Sequence, residues 1–236
     1  MKIISHRGAN REFPENTFAA FERALEIGVD AIETDLLLTK ERRIVVRHDD
    51  LILVNGKMVS VSELTVEQIQ KINFVGGERV PTLEEFFERC GEKCPIFLDL
   101  KSYGLAAPLS AYLKKTKLRC RVHVTSFLHE EISEIAKLLP DIERSLIFTA
   151  LPPAFEPMFR VSWTREVSLF RGYLNEGQAE SLRRAKIKMR VFPVNRPEEA
   201  KRFAGWGADA IFTDVPEQMR SLRGAPKARR SNFTEE

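Results

Sequence analysis

The chain is poor in the features that would place it outside the cell or within a membrane. Its three cysteines, Cys90, Cys94 and Cys120, are odd in number, and the gap between the first two suits neither a disulfide framework nor a zinc knuckle. Reduced thiols and a cytoplasmic location are therefore expected. No uninterrupted apolar run approaches the roughly 20 residues that span a bilayer. Residues 1–5 already read as a strand, which leaves no place for a charged leader and apolar signal segment, so the expectation is a protein without transmembrane or secretory elements. Charge of one sign is scarce too. The formal net charge is +3, and residues 220–236 supply it locally through Arg220, Arg223, Lys227, Arg229 and Arg230 set against Glu235 and Glu236. A near-neutral body excludes an evident nucleic-acid binder. Internal repeats and low-complexity tracts are missing.

What the chain does have is apolar material, 43% of its 236 residues, enough for one substantial core. Short runs rich in Ile, Val, Leu and Phe alternate with amphipathic stretches. "KIIS", "AIETDLLL", "PIFLDLK", "VHVTS", "SLIFTA", "EVSLF", "MRVFPVN" and "DAIFTD" read as eight strands. Helical patterns fall at 17–27, 83–90, 105–115, 129–139, 176–186 and 197–204, with a weaker one at 153–159. Thr82 with Glu85 forms a capping box, Pro197 suits a first helical position, and Gly28 and Gly91 suit helix ends. The alternation predicts an α/β fold, a TIM (β/α)₈ barrel, as a single domain over 1–224 followed by a flexible tail at 225–236. One stretch breaks the rhythm. Between the second strand and "PTLEE" lie a strand-like "RIVVRH", an Asn55-Gly56 turn signal and a short helix opening at Thr65, an insertion of about 50–81 at the catalytic end.

Ionisable residues at strand ends carry the chemistry, because the C-terminal ends of parallel barrel strands converge on one mouth. His6 and Arg7 end the first strand, an odd use of an opening strand unless a ligand needs them. Glu33 and Asp35 lie two apart on the second and share a face, as do Asp99 and Lys101 on the third. Three carboxylates at a barrel mouth match a hard divalent ion, Mg²⁺ or Ca²⁺. Arg7 and Lys101 then offer positive charge to a phosphate, the arginine as a bidentate fork and the lysine as a point charge. His48, before Asp49, adds a second imidazole, and the set suggests phosphodiester cleavage by a paired acid and base. A structural ion-pair network of Glu33 and Asp35 with Arg7 and Lys101 is the alternative. His123 and His129 suit core or capping roles, Asn16 suits the cap of the first helix, with lining of the phosphate site as its alternative, and 151–163 suits packing on the barrel flank, with an apolar lid as its alternative.

The blocks "SHRGANREFPENT", "GVDAIETDLLLTKERRIVVRHDD", "VPTLEEF", "FLDLK", "TSF", "FPVN" and "GADAIFTDVP" resemble the glycerophosphodiester phosphodiesterase family, in order, from about residue 3 to 217. The resemblance implies a metal-dependent hydrolase that releases an alcohol and glycerol 3-phosphate from a small-molecule glycerophosphodiester. It implies His6 and His48 as the acid/base pair and Glu33, Asp35 and Asp99 as metal ligands. By analogy a vicinal glycerol hydroxyl attacks phosphorus first, through a cyclic phosphate. Three positions depart from the family pattern. Asp99 replaces the usual Glu of the third strand, Phe192-Pro193-Val194-Asn195 replaces W-T-V-N, and "DLILVNGK" stands where an Arg-Thr-Thr element usually follows His-Asp. Cleavage of lysophospholipids, stopping at the cyclic phosphate, and a non-catalytic phosphate-binding barrel are the rival readings.

Overall fold

The computed structural model describes residues 1–72, 77–116 and 121–222, so Cys120 and the 225–236 tail lie outside the described residues. Along the chain run β1 (Lys2–His6), α1 (Phe18–Ile27) and β2 (Ala31–Leu38). An inserted segment holds β3 (Ile44–Val46), β4 (Leu51–Val54), β5 (Lys57–Ser60) and α2 (Val66–Gln70). Then follow α3 (Leu83–Cys90), β6 (Ile96–Leu100), α4 (Ala106–Lys115), β7 (Val122–Ser126), α5 (His129–Leu138), β8 (Glu143–Phe148) and α6 (Glu156–Val161). The chain continues through β9 (Glu166–Phe170), α7 (Glu176–Arg184), β10 (Lys188–Phe192), α8 (Pro197–Gly205), β11 (Ala210–Thr213) and α9 (Pro216–Met219).

The eight strands expected from the apolar runs are all parallel and lie in the order β1-β11-β10-β9-β8-β7-β6-β2, and β1 pairs with β2 to close the barrel. Strand side chains alternate between two cores, as period two requires. Ile3, Ile32, Leu98, Val124 and Val191 face outward and pack with the helices. Ile4, Ala31, Phe97, Ala210 and Phe212 face inward and form a small inner cluster. Beneath that cluster His123, buried as expected, stacks on Phe97 at 4.4 Å and makes a 3.0 Å contact from Nε2 to Ser145 Oγ. The Arg190 guanidinium also lies over Phe97, 5.0 Å from its ring centroid.

Local chemistry sets the ends of the elements. Thr17, not Asn16, caps α1 by accepting from the Ala20 amide, and Gly28 at φ 79° ends it. Thr82 with Glu85 and Thr65 with Gln68 make the capping boxes of α3 and α2. Gly91 ends α3 without left-handed geometry; a Cβ there would meet the Phe87 carbonyl oxygen at 2.5 Å. Gly8 is required twice over, by a φ of 85° and by Ala20, whose backbone carbonyl carbon an added Cβ would approach to 2.7 Å. The "RIVVRH" run does not join the barrel as a ninth parallel strand. It folds back as β3, antiparallel to the upper half of β2, with Leu38 opposite Ile44 and Leu36 opposite Val46. The insertion then forms the β4–β5 hairpin across Asn55 and Gly56, both at positive φ, and rests Ile52 on a separate cluster with Leu37 and Val45. Residues 151–163 include α6, and Phe159 of that helix and Phe155 just before it are buried in the outer core, so this segment packs the flank. Among the described residues no helix is long and apolar enough to cross a membrane.

Candidate active site

Strand register alone brings the predicted residues together. His6 pairs with Glu33 across β1 and β2, and Asp35 pairs with Asp99 across β2 and β6. All four are in the inward phase at the C-terminal end, and His6, Arg7, Glu33, His48, Asp99 and Lys101 line one cavity of about 280 Å³. One carboxylate oxygen from each of Glu33, Asp35 and Asp99 lies within 4.8 Å of the other two, and all three residues are buried. His48 arrives from the loop after β3, where the Arg47 amide bonds the Asp35 carbonyl at 3.0 Å and fixes its level at the mouth.

Such a cluster is unfavourable unless positive charge reaches it. Burial, then repulsion from Asp35, hold the Glu33 carboxyl well above its ordinary value, and Arg7 offsets this only in part. Burial likewise pushes Asp99 up to about 6, with Lys101 opposing and Asp35 adding to the rise. Asp35 moves the other way: burial is outweighed by Lys101 and Arg7, so it is the carboxylate that stays charged. The two cations are accordingly folded onto the acids. Lys101 Nζ lies 2.5 Å from Asp99 Oδ2 and 3.2 Å from Asp35 Oδ1, and Arg7 Nε lies 3.0 Å from Asp35 Oδ2 while Nη1 bonds Glu15 at 2.9 Å. Asp99 Oδ1 is buried without a hydrogen-bond donor among the described residues. Three hard oxygen ligands, one of them unpartnered and two resisting ionisation, fit a hard divalent cation.

Each imidazole is held by an acid. His6 Nδ1 lies 2.6 Å from Asp214 Oδ1, and His48 Nδ1 lies 2.8 Å from Asp49 Oδ1. Burial works against the Asp214 charge, but His6, Asn195 and Asn10 outweigh it and hold the carboxyl well below its usual range. An ionised acceptor keeps the proton on His6 Nδ1 and leaves Nε2 as the basic nitrogen. The site can therefore collect an anionic substrate, neutralise it and move protons on two sides of it.

The arrangement has counterparts. The chain matches the Glycerophosphoryl diester phosphodiesterase family over residues 6–218. A Glycerophosphodiester phosphodiesterase of Caldanaerobacter subterraneus is 32% identical over 93% of this chain and 96% of that protein. The chain belongs to the glycerophosphoryl diester phosphodiesterase family. Within the family it is also 28% identical to a human lysophospholipase D, over 94% of this chain and 85% of that one. A phosphodiesterase of Oleispira antarctica, solved in complex with the product sn-glycerol-3-phosphate, shares the fold with a TM-score of 0.87 at 23% identity, covering 94% of this chain and 96% of that one.

For this family member, reasoning from sequence missed three residues and misread a fourth. Asp214 ends the last barrel strand, at the kind of position that drew notice to His6 and Asp99, and its place in "FTD" was signal enough. Asn195 accepts from the Asp214 amide at 2.9 Å and donates to Asp214 Oδ2 at 2.7 Å, and Asn10 donates to Asp214 Oδ1 at 2.9 Å. Asn16 is not a helix cap. Buried at φ 58°, it donates to Asp35 Oδ2 at 2.9 Å and accepts from the Thr34 hydroxyl at 2.8 Å, so it orients the central carboxylate.

Proposed function

We propose that residues 1–224 act as one catalytic domain that hydrolyses glycerophosphodiesters to an alcohol and glycerol 3-phosphate, with a divalent ion and two histidines. The observation that carries the reading is the convergence of Glu33, Asp35 and Asp99 to within 4.8 Å beside a cavity that His6 and His48 also line. Glu33, Asp35 and Asp99 would hold Mg²⁺ or Ca²⁺, which when bound supplies Lewis-acid polarisation of phosphoryl oxygens. Arg7 and Lys101 bind the remaining phosphate charge. His6 and His48 act as the acid/base pair: one takes the proton of the attacking vicinal glycerol hydroxyl while the other protonates the leaving alcohol oxygen, and with the roles reversed water then opens the cyclic phosphate to glycerol 3-phosphate. Asp214 and Asp49 orient the two rings and support the imidazolium that forms.

The test is turnover of glycerophosphocholine followed by phosphorus NMR, before chelation, after it, and after return of each ion. Turnover that stops with the chelator and returns with one ion, giving glycerol 3-phosphate, is the expected result. Turnover undiminished by exhaustive chelation removes the metal from the reading, and no turnover under any ion removes the enzyme. Cleavage of lysophospholipids is a second reading, supported by the wall opposite the acids, where Phe127, Phe170, Phe192 and Phe212 line the cavity.

A further inference from the structure

Nine large apolar side chains are exposed among the described residues, and seven of them stand in segments that follow barrel strands. In a parallel barrel all such segments lie at one end, here the end that holds Glu33, Asp35 and Asp99. The other two, Val161 and Trp163, close α6 at the opposite end. Three of the seven share the outer face of the β4–β5 hairpin. Leu53 pairs with Met58 and Leu51 with Ser60, while Ile52, between the two leucines, is buried. The remaining four, Phe13, Tyr103, Phe127 and Tyr173, come from four separate loops. Apolar exposure scattered by chance would not gather around one cavity.

The rim also runs on into the cavity. Tyr173 lies 5.9 Å from Phe170, Phe170 lies 6.0 Å from Phe192, and Phe192 lies 6.0 Å from Phe127 and 6.5 Å from Phe212, ring centre to ring centre. A ladder of aromatic rings thus leads from exposed Tyr173 and Phe127 down to the floor beside the acids. The occupant of this rim follows from what it surrounds. A protein partner or second copy pressed on it would shut the cavity, whereas a lipid surface covers apolar side chains and is itself a source of amphiphilic phosphodiesters. The residue types agree, since Tyr and Phe favour the boundary between headgroups and acyl chains.

We propose that the mouth of the barrel docks on lipid surfaces through the hairpin residues Leu51, Leu53 and Met58 together with Phe13, Tyr103, Phe127 and Tyr173. The docking goes beyond the phosphodiesterase reading and is measured without it.

The full chain is sedimented with neutral phosphatidylcholine vesicles, which remove attraction by net charge. The test variant combines Leu51→Ser, Leu53→Ser, Met58→Ser and Tyr103→Ser, none of which lines the cavity or belongs to the ladder. The parent is expected to partition onto the vesicles and the variant to lose about tenfold or more of that partition. Turnover of water-soluble glycerophosphocholine without vesicles stays unchanged, which shows the variant to be folded. A parent that remains in the supernatant, or a variant that partitions equally well, overturns the proposal. So does a parent that forms dimers in the ultracentrifuge, dissociates with the four substitutions and ignores vesicles, because the face is then a contact between copies. A second measurement needs no loss of binding: Leu53→Trp should shift its fluorescence to the blue on adding vesicles, and an unmoved spectrum counts against docking. Vesicle binding without turnover of any diester defeats the phosphodiesterase reading and leaves the docking surface standing.

Discussion

At the scale of single residues, the site is organised as acids that hold bases and bases that hold acids. Removing either imidazole, by His6→Ala or His48→Ala, is expected to lower kcat by roughly 10² to 10⁴ with the fold intact by circular dichroism. Asp214→Asn leaves the ring in place but withdraws the charge that supports it. We expect a smaller loss, about 10-fold to 100-fold, together with an altered pH profile of kcat/KM, which a purely structural residue would not produce. Asp99 invites a separate test, because the shorter carboxylate sits opposite Asp35 with one oxygen unpartnered. Asp99→Asn should weaken Mg²⁺ or Ca²⁺ binding about tenfold or more in titration calorimetry, since a ligand charge is lost, while Asp99→Glu retains it. Equal affinity in Asp99→Asn would strike Asp99 from the ligand set. The acids themselves were legible in the sequence because period-two phase on neighbouring parallel strands needs no tertiary knowledge. Asn16 was not, because Asn16 and Thr17 are both good capping residues and only the partner Asp35 decides between them.

Among the elements, the β1–α1 connection carries the heaviest constraints. Arg7 at φ 59° and Gly8 at φ 85° turn the chain sharply, the Arg7 amide bonds Glu33 Oε2 at 3.0 Å, and the Ala9 amide bonds the Ala20 carbonyl at 2.9 Å. Gly8→Ala must push α1 away from the strand, because its Cβ would stand 2.6 Å from that of Ala20. A loss of roughly 2–4 kcal/mol in urea unfolding is expected, with turnover falling as His6 and Arg7 shift. Gly56→Ala is the control. It has a similar φ of 79° but open space around it, so only the backbone penalty of about 1 kcal/mol should appear and turnover should hold. The eight barrel strands and their helices could be read from alternation and caps, whereas the direction of β3 could not. A run such as "IVV" pairs equally well in either sense, and only the return of the chain onto the overhanging end of β2 makes it antiparallel.

On the scale of the whole molecule, the buried acids tie stability to proton and metal together. Asp99 is raised from an ordinary 3.8 to about 6. Its folded value lies above the unfolded one, so its stabilising contribution is present in acid and disappears as pH climbs from about 4 to about 6, a loss of roughly 3 kcal/mol from this group in metal-free protein. A bound ion replaces the proton. The gain in melting temperature on adding Mg²⁺ or Ca²⁺ to chelated protein should therefore grow with pH through about 6, and a gain independent of pH would contradict the placement of the ion on these acids. The pairing of His6 with Asp214 was hidden from sequence reasoning for a reason of the same scale: 208 residues separate them, and the β1–β11 register that joins Ser5 to Thr213 exists only in the closed barrel. That closure also bears on synthesis. During translation His6 leaves the ribosome 208 residues ahead of its carboxylate, so a nascent chain carries His6, Glu33, Asp35 and Asp99 without the brace that holds the imidazole. The brace is therefore complete only once the last barrel strand has docked on the first, and a chain that stops before β11 lacks the carboxylate that holds His6.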